Sequence, residues 1–188
     1  MSQFEYVAVL ISIIVGLALT QLLRGIGRAV VTKGGPTVYW VHLVWTLYLF
    51  ISTTLFWWWE FRLASASWGL TLYLVVIVYA TLYFFASLVL QPGKIDGVSS
   101  YREYFYARRG WIFGLFISLI AWDFVDTLSK GTDHFLSFGI EYPIIFLSFI
   151  AASIVAIITA NQRYHEILAI VWIVVFVAYM YRVNYVIM

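Results

Sequence analysis

Six stretches of the chain run almost without a charge, and each is close to the length a helix needs to cross a bilayer. They cover residues 4–24, 39–59, 70–90, 111–127, 142–160 and 167–185, against the roughly 20 apolar residues that span a hydrocarbon core. The runs are continuous rather than alternating, which favours helices over barrel strands, and helices satisfy their own backbone groups in lipid. The pattern predicts an all-α, polytopic membrane protein: one transmembrane domain over residues 1–188, built as a bundle of six helices. Between the third and fourth runs, Pro92, Gly93 and Gly97 break the helix, and Ser100 with Glu103 makes a capping box. Tyr101, Tyr104, Phe105 and Arg108 then recur at steps of one helical turn. A short interfacial helix over residues 100–109 is predicted there, its arginines meeting anionic lipid.

Composition sharpens the class. The chain is 64% apolar, 20% aromatic and only 11% charged, far from the balance of a soluble domain. With no cysteine, disulfide and thiol chemistry are excluded. The stretch FWWWEFR, residues 56–62, closes the second run with rings and charges that suit the headgroup level of a membrane.

The net charge of +2 is unevenly spread. Arg24, Arg28, Lys33, Lys94, Arg102, Arg108, Arg109 and Arg163 fall in the first, third and fifth loops, while Arg62, Lys130 and Arg182 fall on the other side. The positive-inside bias therefore predicts that both termini are non-cytoplasmic. In general style the opening FEYVAVLISIIVGLALTQLLRGIGR resembles small bacterial inner-membrane proteins, which implies that membrane as the location.

Candidate chemistry comes from polar groups inside the runs. His42, Thr46, Thr53 and Glu60 lie at offsets of 0, 4, 11 and 18 and so share one face of a helix. A polar stripe of this length is expected to turn from lipid toward the bundle interior or a watered path. Gln21 and Arg24 suggest a polar entry on the cytoplasmic side, with helix packing and snorkelling as the plainer reading. Asp123 and Asp126, three apart, either draw cations to an outer mouth or simply face water, with Lys130 close enough to pair.

Small residues recur every fourth position in three runs: Ser12, Gly16 and Thr20; Gly110, Gly114 and Ser118; Ser148, Ala152, Ala156 and Ala160. Such seams bring helices together, either within one bundle or between copies in a homo-oligomer. His42, His134 and His165 have no metal-site spacing, and no metal or cofactor is expected. The chain lacks a nucleophile–base pair and a phosphate loop, so an enzyme is not expected. Its basic residues are scattered over short loops, which speaks against nucleic acid. The leading expectation is a channel or transporter for a cation or small solute; the alternative is a non-catalytic membrane subunit working through helix packing.

Overall fold

A computed structural model describes residues 3–31, 37–91 and 100–183. Lys33, Pro92, Gly93, Lys94, Asp96, Gly97 and the last residues of the sixth apolar run lie outside the described residues. The elements are α1 (Gln3–Val31), α2 (Trp40–Glu60) with a 3-10 turn (Phe61–Ser65), α3 (Leu70–Leu90), α4 (Tyr101–Ser129), α5 (Thr132–Ser137), α6 (Glu141–Ile158) and α7 (Gln162–Arg182). Six of these are long and apolar enough to cross a membrane. The protein is an all-α, multi-pass integral membrane protein.

The segment expected as a separate interfacial helix is instead the start of α4, which is one unbroken helix of 29 residues. The capping box forms: the Ser100 side chain accepts from the Glu103 amide at 3.1 Å. Beyond it nothing stops the helix, since Gly110 alone weakens a helix without ending it. The aromatic face of this segment also points inward. Tyr101 and Phe105 are buried, and the Tyr104 hydroxyl donates to the Val89 carbonyl at 2.6 Å. α7 starts earlier than its apolar run, because Asn161 caps it by accepting from the Arg163 and Tyr164 amides.

α2 sits at the centre, packed against α1, α3, α4 and α7, and is the most enclosed span. The closest helix pairs around it are α1 with α3, α3 with α4, and α4 with α6, while α6 and α7 approach each other less. Trp45, in the second turn of α2, is fully buried among Phe113, Phe116 and Phe149, with ring centroids 5.3, 5.3 and 5.9 Å away. Phe149 in turn stacks on Trp172 of α7. Hydroxyls on α2 cost little to bury, because Thr46, Ser52 and Thr53 each donate to the carbonyl four residues earlier, at 2.7–2.9 Å.

The seams of small residues are not where α1 and α3 meet. A Cβ placed on Gly16, Gly110 or Gly114 would have nothing within 4 Å, and Ser12, Thr20 and Ser148 are exposed. Only Ala156 of these stripes is wholly buried. The inward face of α1 runs instead through Val7, Ile11, Val15, Ala18, Leu22 and Gly25. At Gly25 a Cβ would fall 2.0 Å from Gln91 Oε1, so any larger residue there would have to push the Gln91 side chain aside.

Two ends of the bundle can now be distinguished. The Glu60 end holds the start of α1, the α2–α3 turn, α5 and the end of α7. The His42 end holds the end of α1, the start of α2, the end of α3, the start of α4 and the α6–α7 turn.

Candidate functional site

The polar stripe of α2 does turn inward: His42, Thr46, Thr53 and Glu60 are all at most 1% exposed. It does not line one continuous space. At the His42 end the polar groups are neutral and tightly enclosed. Gln91 Nε2 donates to Thr46 Oγ1 at 2.8 Å, and Gln21 Nε2 donates to the Gln91 carbonyl at 3.1 Å. His42 packs edge-on against Tyr101 at 5.0 Å and beside Tyr104, and neither ring nitrogen has a hydrogen-bond partner. Gln21 thus turns into the bundle while Arg24 faces outward, so the two do not form a shared entry.

At the Glu60 end the groups carry formal charge. Glu60 closes α2 facing inward, while Trp58 on the opposite side is exposed, as an interfacial ring would be. Lys130, the residue after α4, reaches back between two helices and donates to Glu60 Oε1 at 3.0 Å and to Asp126 Oδ2 at 2.5 Å. All three side chains are at most 4% exposed. Burial disfavours the Lys130 ammonium, but the two carboxylates outweigh it and hold its pKa above the ordinary lysine value. On α5, burial together with Arg62 and Lys130 lowers the His134 pKa to about 4.

Asp123 and Asp126 are neighbours on α4, yet their carboxylates serve different partners. Asp123 Oδ1 accepts from the Tyr79 hydroxyl at 2.8 Å, and Oδ2 accepts from the Tyr142 hydroxyl at 2.5 Å. That ties α4 to α3 and α6. Tyr142 also meets Thr127 at 3.1 Å. Near the surface, Arg182 and Glu141 form an exposed ion pair linking α7 to α6. Among the described residues no three His, Cys, Asp or Glu side chains come together as a metal site.

Glu60, Asp123, Asp126 and Lys130 stand on the wall of a cavity of about 840 Å³ between α2, α3, α4, α6 and α7. It opens beside Phe61 and Arg62, both exposed, and descends to Tyr48 and Leu49. That depth is roughly 18 Å along α2, at 1.5 Å per residue, so the cavity reaches about the middle of the span. The Trp45 cluster lies directly below. Glu60 lines the cavity; His42, Thr46 and Thr53 do not.

Three participants were not singled out from the sequence: Gln91, and the tyrosines Tyr79 and Tyr142. Lys130 was seen as a partner for the aspartates, four residues from Asp126, but its bond to Glu60 joins positions 70 residues apart. No protein-family model, curated protein or solved structure matches this chain.

Proposed function

We propose that the protein is a non-enzymatic carrier for a small cationic solute. The observation that supports this reading is the one-sided cavity: deep, lined by charged groups at its mouth, and closed at mid-span by aromatic packing. Such a space suits a carrier in one of its two access states better than an open channel, which needs a watered path through the span. Within this reading the membrane is a bacterial inner membrane. The basic loops at the His42 end face the cytoplasm and its anionic lipid, and the Glu60 end faces outward. The test is flux: purified protein in proteoliposomes should accumulate a cationic solute down an imposed gradient. Asp126→Asn should slow that uptake at unchanged protein content. Absence of uptake for inorganic and organic cations alike, from correctly folded protein, would overturn the carrier.

A second reading, a non-catalytic subunit that assembles with another membrane protein, has its own support. The stripes at Gly16 and at Gly110 and Gly114 leave open space where small residues would let another helix approach. Mass determination in mild detergent separates the cases. A stoichiometric foreign partner favours the subunit; a monomer or homo-oligomer leaves the carrier standing.

A further inference from the structure

We infer that the cavity takes a single-chain anionic amphiphile, a long-chain carboxylate whose head meets Arg62 and whose chain fills the shaft below. The inference goes beyond the carrier reading and does not rest on it; a bound chain would exclude a solute from the same space. What a ligand can touch decides its class. Lys130 occupies one oxygen each of Glu60 and Asp126, and the other oxygen of each is enclosed in the packing. Tyr79 and Tyr142 take both oxygens of Asp123, and Ser52 spends its hydroxyl on the Tyr48 carbonyl. The wall left to touch is mostly ring and aliphatic carbon. Tyr48, Trp172 and Phe176 meet one another on the deep wall, and keep 8, 6 and 8% of their surface exposed. Water in such a space finds few of the roughly two to four polar partners it needs, so an apolar chain is the better occupant.

The mouth supplies the head. Phe61 and Arg62 follow Trp57, Trp58 and Trp59 at the end of the second span, the level at which lipid headgroups lie. Phe61 is 72% exposed, so the opening is bordered by a ring that bilayer chains can reach. Arg62 is exposed, lines the cavity and, among the described residues, makes no ion pair, whereas Lys130 is already held by two acidic side chains. The charge on the wall that stays open to a partner is therefore positive. Its planar guanidinium suits a carboxylate, which it can hold by two parallel N–H bonds. A volume of about 840 Å³ encloses one drug-sized body whole. A two-chain phospholipid would have to leave a chain outside, so a free acid fits the space better.

The experiment uses the full chain in phosphatidylcholine nanodiscs at about pH 8.5, above the carboxyl range, with palmitic acid bearing a diazirine near its methyl end. After irradiation, labelled residues are mapped by peptide mass spectrometry. Labelling of Tyr48, Trp172 or Phe176, saturable and displaced by excess palmitate, is expected, because lipid around the bundle touches only its outer faces. The methyl ester of the probe should label these residues about threefold less, the scale of a part-exposed ion pair. Arg62→Gln should bring the acid down to the level of the ester. The map on the unaltered protein stands even if that variant folds poorly. Labelling confined to lipid-facing residues such as Leu70 and Ile154, or not displaced by palmitate, overturns the inference. Equal labelling by acid and ester overturns the anionic head. Phosphatidylcholine carrying the same photoreactive chain is the third arm: if it labels the shaft in preference to the acid, the occupant is a two-chain lipid and the assignment fails. Cation uptake in proteoliposomes is read separately. A labelled shaft without uptake refutes the carrier alone, and uptake with an unlabelled shaft refutes this inference alone.

Discussion

The two ends of α2 handle buried polarity in opposite ways. At the His42 end, one histidine, one threonine and two glutamines are walled in by Tyr101, Tyr104 and the close contact at Gly25, with no formal charge. At the Glu60 end, three charged side chains meet beside open volume. Neutral groups need only a hydrogen bond, and the backbone of their own helix often supplies it. A buried charge needs an opposite charge, and the elements that bring one must converge from a distance. Convergence of five helices around such partners leaves space between them. The charged end therefore carries the candidate site, while the neutral end serves as the packed base.

The contrast breaks most visibly at Lys130. Lys130→Met leaves Glu60 and Asp126 buried without their ammonium, and is expected to destabilise the protein by about 3–5 kcal/mol, read as a shift in its unfolding curve in mixed detergent. Combining it with Glu60→Gln and Asp126→Asn should recover most of that loss; no recovery would mean that Lys130 acts by packing rather than charge.

At the packed end the test is steric. Gly25→Ala puts a methyl group into the Gln91 side chain and should cost about 1–3 kcal/mol. Gly25→Ala together with Gln91→Ala should cost less than the two single changes added, since the clash disappears with its partner.

A smaller effect is expected from acid. The folded-state pKa of His134, about 4, lies below its unfolded value near 6.5. The unfolded chain thus takes up a proton first as pH falls, and stability declines from about pH 6.5 toward 4. His134→Gln should flatten that part of the profile relative to the unaltered protein, whereas an identical slope would show that the shift contributes nothing.

The smallest effect is expected on the outer seams. Gly114→Leu meets open space and should leave unfolding within about 0.5 kcal/mol, as for an ordinary surface change. Its readout is mass in mild detergent: a fall to monomer would assign the seam to contacts between copies.

Much of the bundle is legible along the chain because crossing a bilayer is a local demand. The third run coincides with α3, residues 70–90, since Gly69 and Gln91 on either side of it both leave helical geometry. The inward turn of Glu60 is legible too, from its register with His42, Thr46 and Thr53. Other features were not. The join of residues 100–109 to the fourth span was obscured because a polar first half and an apolar second half read as two elements. The Gly16 stripe drew attention by its spacing, while the glycine that matters for packing, Gly25, has no repeat to mark it. Its role depends on Gln91 arriving from α3.

The number of membrane-long helices, the helix class and the inward side of α2 followed from the order of residues alone, because each depends on whether a stretch of some 20 side chains tolerates lipid and on a fixed rotation per residue. Which charges neutralise one another, which phenols hold Asp123, and where a cavity remains were decided only in three dimensions. Those depend on distances between groups 15 to 70 residues apart, set by how whole helices lean together, and no local pattern encodes them.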